Sequence, residues 1–177
     1  MNTEKVLIVI DMQNDFVTGA LANQAAQEII PAIAEEIKAY RKEGMQVYFT
    51  RDTHGEDYLQ TQEGRMLPVP HCIKGTEGWQ IVPELEDFGA EEDVLDKPSF
   101  GCPDLPGWLT EKLGGVPSAI QLCGVCTDIC VISNAMILKG AFPETEVTVD
   151  GKLCAGVTAE SHENALAAMQ ACQVIIK

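Results

Sequence analysis

Short apolar runs rich in Val and Ile recur along the chain, and segments with a helical pattern separate them. The first run, residues 6–10, is continuous and ends at Asp11, and the second, residues 46–50, ends just before Arg51 and Asp52. Runs this short, with helical segments between them, are typical of βαβ units and of a parallel sheet that is buried on both faces. The pattern therefore predicts an α/β fold whose first two strands end in polar residues.

The segment between these two strands is predicted to be a helix. Its apolar residues lie three or four positions apart and so share one helix face: Ile30, Ile33, Ile37 and Tyr40. Gly44 follows where a C-terminal cap is expected. Pro31 is assigned to the first turn, the position that proline prefers in helices.

The rest of the chain continues this alternation. Further strands are predicted at residues 92–96, 118–123, 146–149 and 174–176. Further helices are predicted at residues 105–113, 127–139 and 158–172, the second of them ended by Gly140. Residues 53–92 are rich in Gly, Pro and charge, which predicts a long irregular connection with one short helix. Together the elements predict a Rossmann-like, three-layer α/β/α sandwich with a mostly parallel sheet of about six strands, as one domain over residues 1–177.

Composition and charge narrow the range of partners. Apolar residues make up 46% of the chain and charged residues 22%, which is the profile of a globular protein. The 12 basic and 27 acidic residues give a net charge of −15, which would repel a nucleic acid or an anionic membrane over most of the surface. We therefore expect neither of these partners.

The N-terminal segment and the cysteines predict the compartment. Residues 1–5 lead directly into an apolar run of only five residues, too short for a signal peptide or a membrane span. The seven cysteines are an odd number, and several lie within predicted strands and helices, where core thiols are common. We therefore expect reduced thiols and a cytoplasmic location.

Polar residues at strand ends are the first candidates for chemistry, because ligands of open α/β sheets bind beyond the carboxyl ends of the strands. Asp11, Asp52 and Lys97 each follow a predicted strand. Cys130 lies one turn into the helix after the fourth strand, with Thr127 as its N-cap. Free backbone N–H groups and the helix dipole should lower the pKa of a thiol at that position. A nucleophilic cysteine also needs a base or a cation, and Asp11 and Lys97 suit these two roles.

Each of these residues has an ordinary interpretation as well. A strand-end aspartate is often a turn residue, a lone lysine usually lies at the surface, and a cysteine in an apolar helix is more often a core thiol. Cys123 and Cys126 form the C-x-x-C pair of many redox and zinc proteins, but Cys123 lies at a strand end, where it should point into the core. His162, near the start of the last helix, is assigned to the surface or to packing.

Three segments together resemble a known family. They are IDMQNDF at residues 10–16, DKPSFG at residues 96–101 and CGVCTDICV at residues 123–131. In the same order and at similar separations, they resemble the three signatures of the isochorismatase-like cysteine hydrolases, the family that includes the nicotinamidases. The similarity covers nearly the whole chain, and it implies the α/β fold of that family and a homo-oligomer.

The resemblance implies a role for each matched residue. Asp11 would be the general base, Lys97 the cation that orients it and favours the thiolate, and Cys130 the nucleophile. The Val125–Cys126 peptide would be cis, and the backbone N–H groups of Cys126 and Cys130 would form an oxyanion hole. The implied reaction is thiolate attack on a small-molecule amide, loss of ammonia or an amine, and hydrolysis of the thioester by water that Asp11 activates.

The resemblance also implies a divalent metal beside this catalytic triad. Nicotinamidases bind a metal through an aspartate and two histidines, and Asp52, His54 and His71 match that arrangement. A carboxylate with two imidazoles suits Zn, Fe or Mn, of which Zn is expected first. Glu63 stands where some family members supply another ligand.

The substrate pocket departs from the family pattern at one position. Pro68 stands three residues before His71, where nicotinamidases usually carry an aromatic residue that packs on the pyridine ring. Phe16 and Phe100 are assigned to an apolar pocket. Three functions stay open: a nicotinamidase-like amidohydrolase, another hydrolase of the superfamily that acts on a carbamoyl-amine or an enol ether, and a catalytically silent binding or assembly module.

Overall fold

A parallel sheet of six strands forms the centre of the computed structural model, which describes residues 5–177. The strands are β1 Lys5–Ile10, β2 Gln46–Asp52, β3 Val94–Lys97, β4 Ala119–Val125, β5 Glu146–Ala155 and β6 Ile175–Ile176. Their order is β3-β2-β1-β4-β5-β6, and all neighbouring pairs are parallel. Residues 1–4, on which the prediction about the N-terminal segment partly depends, lie outside the described residues.

Helices cover both faces of the sheet. They are α1 Asn14–Val17, α2 Gln24–Lys42, α3 Gln62–Met66, α4 Pro83–Glu86, α5 Leu105–Leu113, α6 Ile132–Ala141 and α7 Ala159–Ala171. Helix α2 contacts β1, β2, β4 and β5, whereas α6 and α7 contact β5 and each other, and α5 packs against α6. The predicted three-layer sandwich is confirmed. No helix within residues 5–177 has the length and apolar composition that a bilayer crossing requires.

The central strands are apolar because helices cover both of their sides. Residues 6–10 of β1 are all fully buried, and Ile33 and Ile37 of α2 pack into the same core. Gly124 allows β4 to lie close to β1, since a Cβ atom there would be 2.1 Å from the carbonyl oxygen of Ile10. The tight contact between these two strands brings the segments that follow them together.

Helix α2 begins earlier than the sequence predicts. Asn23 is its N-cap, and the side-chain oxygen of Asn23 accepts hydrogen bonds from the N–H groups of Ala25 and Ala26. Pro31 therefore lies inside the helix, and its assignment to the first turn is wrong. Gly44 has a φ of +75° just beyond the helix, as expected for a glycine that follows a C-cap.

Two other predictions of secondary structure are corrected. The connection from β2 to β3 contains α3, α4 and three 3₁₀ turns, Tyr58–Gln60, Glu77–Trp79 and Glu91–Asp93, rather than one short helix. Elements this short span about one turn, so they carry no apolar period that a sequence could reveal. Gly140 lies inside α6, which continues to Ala141.

Candidate active site and metal centre

The order of the strands brings the candidate residues to one edge of the sheet. The chain adds β2 and β3 on one side of β1 and then β4 on the other, so the order reverses between β1 and β4. Asp11 follows β1, and Cys130 lies one turn beyond β4. Asp52 and Lys97 are the last residues of β2 and β3 and pair with each other in the sheet, so both strands end later than predicted.

Lys97 lies at the centre of the predicted triad. Its Nζ is 2.6 Å from Oδ2 of Asp11 and 3.5 Å from Sγ of Cys130. It also donates to Oδ1 of Asp52 and to the carbonyl oxygen of Ser99, each at 3.1 Å. Asp11, Lys97 and Cys130 are all buried, so the predicted surface position of a lone lysine does not apply here.

Local backbone geometry fixes the direction of the Asp11 carboxylate. Asp11 has a φ of +49°, in the left-handed region that residues other than glycine rarely adopt. Its N–H donates to the carbonyl oxygen of Thr50 at 3.2 Å, and the Thr50 hydroxyl donates to its Oδ1 at 2.7 Å. With Oδ1 held by Thr50, Oδ2 faces Lys97.

Burial and charge determine which groups carry protons. Burial raises the pKa of Asp11 above its usual 3.8, although Lys97 acts in the opposite direction. Burial, together with the neighbouring Asp11 carboxylate, raises the pKa of Cys130 well above its usual 9.0. Burial alone would lower the pKa of Lys97, but Asp11, Cys130 and Asp52 outweigh it and raise that pKa, so the ammonium stays charged.

The expectation that the start of the helix lowers the thiol pKa is therefore wrong. A buried thiolate beside the Asp11 carboxylate would place two negative charges together in a region of low polarity. Burial and the neighbouring carboxylate therefore favour the protonated thiol of Cys130.

The segment before Cys130 is not a simple helix start. Thr127–Val131 is a π-helical turn, a feature frequent at functional sites, and α6 begins only after it. Cys126 rather than Thr127 occupies the N-cap, and the Thr127 hydroxyl is instead 2.8 Å from Nδ1 of His162. The Val125–Cys126 peptide is cis, as the resemblance implies.

A second cluster of side chains lies beside the triad. It consists of Asp52, His54, Glu63 and His71, and one ligand atom from each lies within 4.8 Å of the others. Nε2 of His54 is 3.0 Å and Nε2 of His71 is 3.7 Å from Oδ2 of Asp52. Oε1 of Glu63 lies 3.6 Å and 3.8 Å from the same two nitrogens, so Glu63 belongs to the cluster.

The donor set of this cluster fits a divalent cation. Two carboxylates and two imidazoles are ligands that Zn, Fe and Mn share. Nδ1 of His71 is 2.8 Å from the carbonyl oxygen of Val69, an arrangement that assigns the ring proton to Nδ1 and leaves Nε2 as the donor to a metal. A charge of +2 would balance the carboxylates of Asp52 and Glu63 in this largely buried site.

Asp52 belongs to both clusters. Its Oδ1 accepts a hydrogen bond from Lys97, whereas its Oδ2 faces the two histidines. Burial would raise the pKa of Asp52, but hydrogen bonds with His54 and His71 and the charge of Lys97 outweigh it and lower that pKa. A carboxylate whose surroundings favour its ionised form thus joins the triad to the candidate metal centre.

A cavity of about 500 Å³ opens onto both clusters. Phe16 and Phe100, the residues assigned to an apolar pocket, line it together with Leu67, Ile129 and Val157. Leu67 rather than Pro68 forms the wall on the side of the metal cluster, so the position that departs from the family pattern does not itself contact the cavity. The walls are mainly apolar, and Cys130 and the metal cluster supply polar groups within them.

Two polar residues near the site were not singled out from the sequence. Asn134 is buried in α6 and donates to the carbonyl oxygens of Cys130 at 2.8 Å and Phe100 at 3.0 Å. Its Oδ1 accepts from the N–H of Cys102 at 2.9 Å, so it connects the nucleophile turn to the segment after Lys97. The sequence does contain a sign of this role. Asn134 is a single amide side chain in a largely apolar helix, and a buried polar group needs hydrogen-bond partners.

Asp15, within the motif at residues 10–16, is the second of these residues. Its Oδ2 accepts from the N–H of Cys72 at 2.8 Å, and its Oδ1 accepts from the N–H of Ala20 at 3.1 Å. The first of these bonds holds the loop that carries His71 against α1. The sequence alone gives no sign of this contact, because 57 positions separate the two residues.

Comparison with known proteins defines the class. Residues 5–177 match the family model described as the isochorismatase domain. The chain is 31% identical to the nicotinamidase/pyrazinamidase of Mycobacterium tuberculosis over 96% of each chain. The protein therefore belongs to the isochorismatase family.

Solved structures place it near the nicotinamidase-related members of that family. The pyrazinamidase of Pyrococcus horikoshii in complex with zinc superimposes with a TM-score of 0.82 at 29% identity over 98% of both chains. The pyrazinamidase/nicotinamidase of Streptococcus mutans superimposes with a TM-score of 0.85 at 30% identity over 98% of this chain and 100% of the other. The family assignment made from the three motifs is confirmed.

Proposed function

We propose that the protein is an amidohydrolase that cleaves a small-molecule amide, releases ammonia and passes through a thioester on Cys130. The observation that carries this proposal is the position of Lys97 Nζ, 2.6 Å from Asp11 and 3.5 Å from the thiol of Cys130, beside a cavity of substrate size. The similarity to enzymes named nicotinamidase and pyrazinamidase supports the same chemistry.

The first step forms the nucleophile. Asp11 accepts the proton of the Cys130 thiol, and the ammonium of Lys97 stabilises the thiolate that results. Sulfur attacks the carbonyl carbon of the amide, and the N–H groups of Cys126 and Cys130 stabilise the oxyanion. Protonated Asp11 then donates its proton to the leaving nitrogen, so ammonia departs and the acyl group remains on sulfur.

The second step releases the acid. Asp11, again a carboxylate, accepts a proton from a water molecule, and the oxygen of that water attacks the thioester. Collapse of the intermediate expels the thiolate of Cys130, which recovers a proton from Asp11. The raised pKa of Asp11 suits this role, because a more basic carboxylate takes the proton more readily.

Asp52, His54, Glu63 and His71 are the proposed ligands of a divalent metal, with zinc favoured by the relative from Pyrococcus horikoshii. When bound, the metal supplies a Lewis-acidic position for water or for a substrate ring nitrogen. Phe16, Leu67 and Phe100 orient an uncharged ring between that position and Cys130. Nicotinamide and pyrazinamide are the first substrates to test.

Three broader features are part of the proposal. Residues 1–177 form a single hydrolase domain, and the protein is a homo-oligomer. It acts in the cytoplasm, a location in keeping with its seven cysteines, none of which is in a disulfide. Cys123 is fully buried near the end of β4, a position that favours a hydrolase over a thiol-disulfide oxidoreductase.

The test is ammonia release from a panel of small amides that includes nicotinamide and pyrazinamide. We expect release by the wild type, loss of release in Cys130→Ala and a reduced rate after treatment with a chelator. Cys172→Ala, which removes an exposed thiol, is the matched control and should retain full activity. Carbamoyl-amines and enol ethers in the same panel test the other reactions of the superfamily, and a lack of activity on every substrate would favour a silent binding module.

A further inference from the structure

Gln13 is a fully buried side chain that the proposed reaction does not use. Its Nε2 donates to the carbonyl oxygen of Asp52 at 2.9 Å and to that of Trp79 at 2.8 Å. Its Oε1 accepts from the N–H of Asp52 at 2.7 Å. Every hydrogen-bonding group of the amide end is therefore satisfied by backbone atoms, two of which belong to Asp52.

The position of Gln13 in the sheet explains this arrangement. Pairing between β1 and β2 stops at Ile10 and Thr50, because the chain turns away at Asp11. The side chain of Gln13 takes the place of the missing strand and binds both backbone groups of Asp52, as a neighbouring strand would. On its other side, Asp52 pairs with Lys97 of β3.

Trp79 is the second residue to which the Gln13 side chain is hydrogen-bonded. Its carbonyl oxygen accepts from Gln13, and its indole Nε1 donates to the hydroxyl of Thr53 at 2.8 Å. The guanidinium of Arg51 lies 3.8 Å from the centre of its ring. Gln13 is thus bonded to a residue that is itself held against both neighbours of Asp52 in the sequence.

We propose that Gln13 is a positioning residue that fixes Asp52 for two tasks at once. The carboxylate of Asp52 reaches Lys97 with one oxygen and the metal cluster with the other, so a shift of its backbone would disturb both contacts. This inference rests on the proposed function, because it assumes that the triad and the metal cluster act in the reaction. It adds a residue that contacts neither the nucleophile nor the metal.

The test compares Gln13→Met, which keeps the length of the side chain but removes its hydrogen bonds, with Asn14→Ala. Asn14 is the neighbouring residue, and its amide donates to the carbonyl oxygen of Glu77 at the surface. Each variant is stripped of metal, and its dissociation constant for zinc is measured by competition with a chromophoric chelator. The kcat and KM for the best amide, with zinc saturating, are the second readout.

We expect Gln13→Met to bind zinc about 10- to 100-fold more weakly, as is usual when a residue that supports a metal ligand is lost. Its kcat should fall more than its KM changes, because Lys97 loses a fixed partner while the apolar walls of the cavity remain. Asn14→Ala should match the wild type in both readouts. If Gln13→Met does not fold, Gln13→Glu, which replaces the donor with a carboxylate of the same size, is measured with the same expectations.

Folded Gln13 variants with wild-type zinc affinity and kcat, even with a lowered melting temperature, would show a purely structural role and overturn the inference. The proposed function would survive that result. A wild type that neither binds zinc nor releases ammonia would overturn the proposed function, and this inference with it.

Discussion

At the scale of single residues, one proton shared between Asp11 and Cys130 governs the proposed reaction. Burial raises the pKa of both groups and Lys97 opposes that rise in each, so Asp11 is a stronger base than an exposed aspartate and the thiol holds its proton more firmly than an exposed cysteine. Lys97 is the only cation that contacts either group among the residues the structure describes. The chemistry of the site therefore depends on three buried side chains that stabilise one another's charge states.

The activity should fall on the acid side because of Asp11. Only the ionised carboxylate can take the thiol proton, and its protonated fraction grows as the pH falls through its raised pKa. The acid limb of kcat/KM should therefore lie above pH 3.8, the usual pKa of an aspartate. Activity recovered at neutral pH after each acid exposure is the control for unfolding, and a fully active enzyme down to pH 3.8 would contradict this assignment.

Replacing Lys97 should reduce stability as well as activity. Lys97→Met leaves the carboxylates of Asp11 and Asp52 buried without their cation, which costs about 3–5 kcal/mol in comparable buried pairs. Denaturant unfolding measures this change in the free energy of unfolding. Lys74→Met is the matched control, because the exposed pair of Lys74 with Asp96 should contribute only about 0–1 kcal/mol. Equal losses in the two variants would show that Lys97 is not the central cation.

Asp11, Lys97 and Cys130 could be proposed from the sequence because each lies in a motif or at a strand end, and the metal cluster because it matches the ligands of the nicotinamidases. The sequence did not predict Gln13, whose partner Asp52 is 39 positions away. The direction of the thiol pKa also could not be predicted, since it depends on how completely Cys130 is buried and on its contact with Asp11. Such effects arise only when distant segments meet.

At the scale of elements, local sequence patterns predicted the bounds of β1 and α5 closely. They failed where contacts with distant segments determine the secondary structure. The second half of β5 contains Asp150, Gly151 and Lys152, so it has no apolar run. It is nevertheless a strand because Cys154 and Ala155 pair with the end of β4. Pro31 is likewise accommodated inside α2, whose apolar face is buried against the sheet.

Helix α7 offers a test of how an element supports the site. Thr158 and Ser161 form a capping box at its start, and His162, one residue later, contacts Thr127 in the nucleophile turn. Thr158→Ala should lower the free energy of unfolding by about 1 kcal/mol, measured by denaturant titration. Thr18→Ala, at a position that caps no helix N-terminus, is the control and should have a much smaller effect. No difference between the two would mean that the cap does not stabilise α7.

At the scale of the whole molecule, the reversal of strand order between β1 and β4 creates the site. It brings together groups from four strands that are spread over most of the sequence. The net charge of −15 favours an uncharged amide as substrate and would assist the departure of an anionic product. Because Asp52 contacts both clusters, the nucleophile and the candidate metal centre form one connected unit rather than two separate sites.

The most direct test of the proposed mechanism is the mass of the Cys130 peptide after acid quench during turnover of a slowly hydrolysed amide. The mechanism predicts that this peptide carries the acyl group of the substrate and that the adduct disappears once the amide is consumed. Cys126→Ala, which keeps the backbone N–H at that position, should form the same adduct. Ammonia release at the full rate with no acyl group on Cys130, or with the acyl group on another residue, would contradict the account.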